Sequence, residues 1–192
     1  MILLKCLDSV NPFYVYHKGV DANNPAHYNL RLNGNDVRQD STTEFNDTEP
    51  TSSVFTLGSS WSSYPAYYAG DTIAYCFKSI DGFSKFGSYT GNGSANGPIV
   101  ETGFEPAFLI VKSTTGSGWD IWDNKRNTTN PRNTILTTNN NAADYTSTSI
   151  VGIDFLSNGF QIKNTNADHN ANGNKYIYIA FAADPDTEAP TL

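Results

Sequence analysis

The sequence predicts an all-β protein made of two tandem antiparallel β-sandwich modules, jelly-roll or lectin-like, that are related by internal duplication. Apolar segments of the first half recur in the second half in the same order, at a domain-sized spacing of about 105 residues. Short segments rich in β-branched and aromatic residues alternate with Asn-Gly and proline turns. Strands, rather than helices, therefore dominate the predicted fold.

The recurring segments carry the prediction of a duplication. The matched pairs are residues 1–5 with 108–112, 13–16 with 119–122, 30–33 with 136–139, 54–57 with 159–162, and 73–77 with 177–181. One short match could arise by chance. Matches that keep their order and drift only slightly at polar loops indicate two copies of one ancestral unit.

The predicted modules are unequal. The second copy is preceded by residues 86–94 (FGSYTGNGS) and by further glycine-rich sequence that has no counterpart before Met1. We therefore expect a first, N-terminally incomplete module over residues 1–84 and a second, complete module over residues 85–183. Residues 184–192 contain prolines and are expected to form a linker toward a further module in a longer multi-module chain.

The strands follow from alternation and from turn residues. They are predicted over residues 13–17, 53–57, 72–77, 107–112, 118–122 and 175–181. Turns are predicted at Asn33-Gly34, Asn158-Gly159 and Asn172-Gly173. No segment indicates a helix. The polar stretches 36–51 and 137–149 occupy equivalent places in the two copies and are expected to form long loops on one edge.

Composition limits the classes of partner. Aromatic residues make up 13% of the chain and charged residues only 16%, so that Asn, Ser, Thr and Gly supply much of the polar surface. The formal net charge of −7 gives no electrostatic basis for binding nucleic acid or an anionic membrane. No apolar run approaches the roughly 20 residues that a membrane-spanning helix needs.

The two cysteines do not indicate a conserved disulfide of the module. Cys6 and Cys76 have counterparts near Ser113 and Ala180, which are not cysteines. Partly buried thiols are therefore expected. A bridge between Cys6 and Cys76 stays open as an alternative if the first and last strands of the copy are neighbours.

Candidate catalytic and metal-binding groups find little support. His17, His27 and His169 lack a second histidine or a cysteine at ligand spacing, so they are expected to be surface or loop residues. Asp120 and Asp123 lie at odd separation on one predicted strand and point to opposite faces, which rules them out as a glycosidase pair. Asp123 is expected to pair with Lys125 or Arg126. No catalytic residue, cofactor or metal ligand is therefore predicted.

Calcium is retained as an alternative to a metal-free chain. Residues 21–24, 164–168 and 184–186 offer the oxygen ligands that calcium prefers. None of these segments matches a defined calcium loop, and Asn-rich turns are common without metal.

An aromatic segment distinguishes the first copy from the second. Trp61, Tyr64, Tyr67 and Tyr68 lie where the second copy has the plain Asn/Ala/Asp sequence 164–172. Aromatic rings stack on sugars and also pack well at protein contacts. The four residues are the candidate interface or glycan-contact site, with packing between the modules as the structural alternative.

Several segments resemble a known family. They are residues 87–94, 103–112, 154–160 and 176–182, together with 16–19 and 50–58 of the first copy. They are similar to a repeated module of large virion-associated proteins of bacteriophages, especially marine ones. The resemblance covers nearly the whole chain and implies a tail-fibre or other exterior structural role with no established activity.

The expected protein is thus a non-enzymatic phage virion structural protein at the virion exterior. It is expected to be part of a tail fibre or appendage that contacts the host surface without a cofactor. A capsid-surface or decoration protein and a carbohydrate-binding module are the alternatives. The expected partners are other virion subunits in a homo-oligomer, a trimer in the case of a fibre, and a host-surface glycan or protein, with neither nucleic acid nor membrane insertion.

Overall fold

The computed structural model describes residues 1–8, 10–40, 42–61 and 71–183. Across these ranges the chain forms three antiparallel sheets, with three one-turn helices and two short 3-10 turns between the strands. The all-β prediction is confirmed. The expectation that the chain forms no helix is wrong only for these short elements of about one turn each.

The first sheet has the strand order β4-β3-β2-β1-β5. Its strands are β1 (Ile2–Cys6), β2 (Tyr14–Tyr16), β3 (Tyr28–Arg31), β4 (Gln39–Asp40) and β5 (Thr72–Cys76). The first four strands form a meander of neighbouring pairs. β5 returns through a long connection and pairs with β1 from Ile2↔Cys76 to Cys6↔Thr72, which gives a Greek-key closure.

The second sheet has the order β11-β10-β9-β8-β14-β6. Its strands are β6 (Ser84–Thr90), β8 (Pro106–Ser113), β9 (Trp119–Asp123), β10 (Thr134–Thr137), β11 (Tyr145–Thr146) and β14 (Lys175–Ala182). A meander again leads outward from β8 to β11, and β14 returns to the other side of β8. The two sheets thus share one strand order, except that β6 extends the second sheet beyond β14.

The third sheet is small and has the order β12-β13-β7. It contains β7 (Ile99–Glu101), β12 (Ile153–Leu156) and β13 (Gly159–Ile162). The helices are α1 (Thr42–Phe45), α2 (Thr148–Val151) and α3 (Ala167–Asn170), and the 3-10 turns are Pro25–His27 and Ser59–Trp61. α1 follows β4 as α2 follows β11.

The sheets stack in layers because each strand alternates its side chains between two faces. The third sheet covers one face of the second sheet, with Trp122 and Phe160 among the buried residues of that core. The other face of the second sheet packs on the first sheet, where Trp119 and Ile177 meet Leu30. The outer face of the first sheet is covered by α1 and the 3-10 turns.

One predicted strand is wrong. Residues 53–57 form no strand, although the matching residues of the second half form β13. β13 is paired on both sides, by β12 and by β7. Within the described chain no strand lies beside residues 53–57, so their backbone lacks the ladder that would make them a strand.

The two cysteines lie on paired strands but too far apart for a disulfide bridge. The first and last strands of the first sheet do pair, but Cys6 faces Thr72 and Cys76 faces Ile2, so the thiols lie at opposite ends of the strand pair. No disulfide joins them.

Among the described residues, no helix has the length and apolar character to cross a membrane.

Candidate functional site

A polar cavity of about 400 Å³ opens at one end of the second sheet. Its floor is formed by side chains of β9 and β10, and its walls by α3 and by the polar residues that follow β10. Asn35, from a loop of the first sheet, also lines it. The cavity therefore joins residues from both halves of the chain.

Asp120 lines this cavity because the side chains of β9 alternate between the two faces of the sheet. Asp120 and Trp122 are on the face that the third sheet and α3 cover, whereas Trp119 faces the first sheet. The hydroxyl of Thr137 donates to Oδ1 of Asp120 at 2.9 Å. The carboxylate is almost completely buried, and burial of a charge requires partners of this kind.

His169 is the second partner of Asp120. Nε2 of His169 lies 2.6 Å from Oδ2 of Asp120, and the imidazole ring meets the ring of Trp122 edge to face at 5.0 Å. Because a carboxylate accepts, His169 carries its proton on Nε2. Nδ1 of His169 is buried and has no hydrogen-bond partner among the described residues. His169 is also one of the residues that line the cavity.

α3 is held in place by the glycine- and asparagine-rich sequence around it. The side chain of Asn166 caps the helix by accepting from the amide of Asp168 at 3.1 Å. The hydroxyl of Tyr176 donates to the carbonyl of Ala167 at 2.6 Å. Asn170 is fully buried and accepts from the amide of Asn92, so the segment between β6 and β7 fixes the position of His169.

The mouth of the cavity is rich in amides and contains one exposed ring. Asn139 and Asn140 line it, as does Tyr145, which is 47% exposed. A Cβ atom at Gly118 would lie 2.5 Å from Oδ1 of Asn139, so glycine at this position allows the amide to approach the β9 hairpin. That oxygen is buried and lacks a partner in the part of the chain that the structure describes.

The lining indicates which ligands the cavity suits. It includes the carboxylates of Asp120 and Asp168, and the described lining contains no lysine or arginine. An anionic ligand is therefore disfavoured by charge. Amides, the hydroxyls of Ser117 and Thr137 and one tyrosine ring are groups that hydrogen-bond to and stack on neutral polyhydroxyl molecules.

A second cavity, of about 530 Å³, lies on the first sheet. Residues 50–55 form one wall, and the start of β1 with the end of β5 forms the other. Ile2, Val54 and Phe55 make much of this lining apolar. It is the larger of the two cavities, and its lining also includes Tyr16, Lys78 and the hydroxyl residues Thr51, Ser52 and Ser53.

The predicted aromatic site is described only in part. Trp61 ends a 3-10 turn and packs edge to face on Tyr14, with ring centroids 5.7 Å apart. It belongs to the cover of the first sheet's outer face, in a cluster made of residues from the first half of the chain. Tyr64, Tyr67 and Tyr68 lie outside the described residues, so their grouping with Trp61 stays a prediction.

The expectation of surface or loop histidines is wrong for His169, which is buried in α3, and His17 lies in a loop after β2 but is also buried. His17 and His169 are each 1% exposed, and only His27 lies near the surface, 3.9 Å from Asp47. The Asp123 expectation holds, because its Oδ2 lies 2.6 Å from Nε of Arg126. Partial burial acts to raise the pKa of the Asp123 carboxyl, but the pair with Arg126 and two donating backbone amides together hold the pKa below its usual value.

The side-chain oxygens of the candidate calcium segments accept local hydrogen bonds. Asp21 accepts from the amides of Asn23 and Asn24 and pairs with Arg38 at 2.8 Å. In residues 164–168 the asparagine side chains cap turns and α3. Residues 184–186 lie outside the described residues. No group of three or more His, Cys, Asp or Glu side chains in the described ranges is arranged to hold a metal.

Comparison with known proteins places the chain in a family. A family model described as a domain of unknown function, DUF7483, matches residues 1–185. The chain belongs to the DUF7483 family. The matched range of this DUF7483 chain includes both large sheets and both cavities. No curated protein matches it. No solved structure matches it.

Sequence reasoning missed the Asp120–His169 pair in this DUF7483 chain. The two residues are 49 positions apart, and no spacing rule connects a strand residue to a one-turn helix over that distance. One signal was present: an aspartate between Trp119 and Ile121, inside a predicted strand with two tryptophans, is expected to be buried and therefore to need a partner.

Proposed function

We propose that this chain is a non-enzymatic structural segment of a phage virion exterior, built by tandem duplication of one sheet unit. The observation that carries the proposal is the shared strand order. β1 to β5 of the first sheet and β8, β9, β10, β11 and β14 of the second occupy corresponding places. Four of the five sequence matches overlap corresponding strands, as expected for two copies of one unit. The fifth matches residues 54–57, which form no strand, to β13.

The packing of the two sheets fits a structural role. Val15 and Leu30 of the first sheet are buried against Trp119 and Ile177 of the second. A shared apolar core of this kind resists separation of the units. The resemblance to phage virion modules gives the class, and loops at the sheet ends supply surface for contact with other subunits or with the host.

A tail fibre or appendage is the location we propose, with a homo-oligomeric assembly. Immunogold labelling of intact phage particles tests it, with an antibody raised against the purified chain. Label at the tail or fibre tips is the expected result. Label spread over the head would replace this proposal with a capsid-surface protein, and particles without label would overturn both.

The polar cavity supports a second candidate function, the binding of a neutral host-surface glycan. Nδ1 of His169 and Oδ1 of Asn139 have no hydrogen-bond partner among the residues that the structure describes. These two atoms favour the second function, because buried polar atoms are normally satisfied. Tyr145 supplies a ring beside them.

Tyr145→Ala tests this second function on any oligosaccharide that a glycan array selects. We expect a loss of affinity of about fivefold or more, since an aromatic contact contributes about 1 kcal/mol. Tyr75→Ala is the matched control, because Tyr75 is 46% exposed and lies outside the cavity. Equal affinity of the two variants, or no selected glycan, would remove the cavity as a glycan site.

A further inference from the structure

The outer edge of β5 is a row of backbone groups without a described strand beside it. Phe77 and Met1 exchange hydrogen bonds of 2.9 Å, and the amide of Leu7 donates to the carbonyl of Asp71 at 2.7 Å. Antiparallel pairing alternates, so Ile73 and Tyr75 also point their backbone groups toward β1. The amides and carbonyls of Thr72, Ala74 and Cys76 therefore point away from the sheet.

The side chains of this edge are exposed and apolar. All five residues of β5 are exposed, including Ile73 at 36% and Tyr75 at 46%, and Phe77 just beyond is 37% exposed. Proteins normally protect an edge strand with lysine, proline or a bulge, because an open edge pairs with other strands. The sequence of β5, TIAYC, contains none of these protections.

β14 occupies the corresponding place in the second sheet, and its outer edge is covered. β6 pairs with it over seven residues, from Lys175↔Thr90 to Phe181↔Ser84. The ring of Phe86, on β6, contacts the ring of Phe181 at 6.0 Å. Residues 84–90 therefore satisfy the backbone edge and also cover apolar side chains beside it.

The cavity on the first sheet marks the place of a second missing contact. In the second half, β7 follows β6 and pairs with β13, at Gln161↔Ile99 and Phe160↔Val100. The residues that match β13 are 54–57, where Val54 is 64% exposed and Leu57 38% exposed. Val54 also lines the 530 Å³ cavity, together with Cys76 and Phe77 at the end of β5.

We propose that β5 and this cavity form a docking surface for an extended segment of the repeat's own leading sequence. The segment is of the kind that residues 84–101 supply to the second sheet. Its first part adds a strand to β5 by β-augmentation, and its second part lies against residues 54–57 and fills the cavity. The inference rests on the duplication proposed above, but not on the location of the protein in the virion.

A synthetic peptide of residues 84–101, carrying a fluorescent label, tests the proposal in titrations with the whole chain. We expect saturable binding by fluorescence anisotropy and none by a peptide of scrambled order. In hydrogen exchange, the amides of Thr72, Ala74 and Cys76 should gain protection on binding. Those of Ile73 and Tyr75 should change little, because they already face β1. Absence of binding, or protection elsewhere only, would overturn the proposal.

Ala74→Pro is the blocking variant, since it removes an outward amide while the pairs with β1 at Ile73 and Tyr75 remain. We expect at least a tenfold loss of peptide affinity, whereas Ala74→Thr should keep it. Circular dichroism melts show whether both variants fold. Unchanged affinity in a folded Ala74→Pro variant contradicts the proposal. Self-association of the chain through β5 without peptide would identify a second copy as the occupant and likewise overturn it.

The peptide experiments can fail independently of the proposed location in the virion. Immunogold labelling depends on where the protein resides, whereas peptide binding depends only on the edge and cavity of the first sheet. Label at the tail with no peptide binding would reject the docking surface alone. Peptide binding without label on virions would reject the location alone.

Discussion

His17 shows at the level of one residue how the two sheets depend on each other. The amide of Gly19 donates to Nδ1 of His17 at 3.0 Å, so the ring proton is on Nε2, which lies 3.3 Å from the carbonyl of Tyr178 in β14. Burial, with a smaller contribution from the Met1 ammonium, lowers the pKa of His17 to about 3, and the bond to Tyr178 opposes this shift. The neutral ring is thus part of the folded state.

Acid should therefore destabilise the protein through His17. The unfolded state, with an ordinary histidine pKa near 6.5, binds more protons between pH 6.5 and 3 than the folded state does. The contribution of His17 is complete above pH 6.5 and declines by at most about 1.4 kcal/mol per pH unit below it. Urea unfolding at pH 7 and pH 5 measures this slope.

His17→Gln is the variant that isolates this contribution, because glutamine cannot titrate. It should be less stable at pH 7 but should lose less free energy of unfolding on going to pH 5. His27→Gln is the control for replacing a histidine by glutamine at a partly exposed position. An identical slope in wild type and His17→Gln would show that other groups dominate.

Lys112 is a second buried group that joins the two halves. Nζ of Lys112 donates to the carbonyl of Asp36 at 2.9 Å and to the carbonyl of Ser117. Burial lowers the pKa of Lys112 to about 8, and Asp36, Asp120 and Asp168 oppose that shift. The ammonium is retained near neutral pH because these acceptors replace water.

Lys112→Met should destabilise the chain even though methionine fits an apolar core. The substitution leaves two carbonyls without their donor, and unsatisfied buried groups cost about 1–3 kcal/mol each. Thermal and urea unfolding at pH 7 measure the change. Lys125→Met, in the turn after β9, provides the control, and a loss no larger than in that variant would contradict the role assigned to Lys112.

At the level of elements, β9 is the strand that connects two cores. Trp119 packs toward the first sheet and donates from Nε1 to the carbonyl of Arg31 at 2.8 Å. Trp122 packs toward the third sheet and donates to the carbonyl of Val151 at 2.8 Å. The alternation of a five-residue strand thus assigns its two tryptophans to different interfaces.

Trp119→Ala and Trp122→Ala should each cost about 3–5 kcal/mol but loosen different regions. Amide exchange is expected to accelerate first in β2 and β3 in the Trp119 variant. In the Trp122 variant it should accelerate first in β12 and β13. The same exchange pattern in both variants would show that the cores do not respond separately.

The strands were largely predictable from the sequence, whereas the short helices and turns that cover the sheets were not. β2, β5, β8, β9 and β14 follow from alternation and β-branched content, which report a local period. Residues 53–57 have the same local pattern but form no strand, because a strand also needs a partner. The Asp120–His169 pair was likewise hidden, since it depends on how α3 packs and on no sequence spacing.

At the level of the whole molecule, the shared core predicts one cooperative unit. The division predicted from the sequence, between residues 84 and 85, falls inside β6 (Ser84–Thr90). Removing the first sheet would expose Trp119, Ile177 and Ile179, which are buried against it. A large apolar patch of this kind promotes association.

Residues 85–183 expressed alone should bind the dye ANS and aggregate, whereas the whole chain should not. A whole chain with a protease site inserted at the Asp81-Gly82 turn is the matched control. After cleavage, its halves are expected to remain associated in size-exclusion chromatography. Separation of the cleaved halves, or a monomeric and dye-free 85–183 fragment, would show that the modules are independent.

The order of the strands has a consequence for the rate of folding. β1 pairs with β5 through residues as distant as Ile2 and Cys76, and β6 pairs with β14 through Thr90 and Lys175. Such distant pairs give the chain a high contact order, because long loops must close before these ladders form. The molecule should fold on a timescale of about milliseconds to seconds, with the closing strands β5 and β14 joining their sheets after the local meanders.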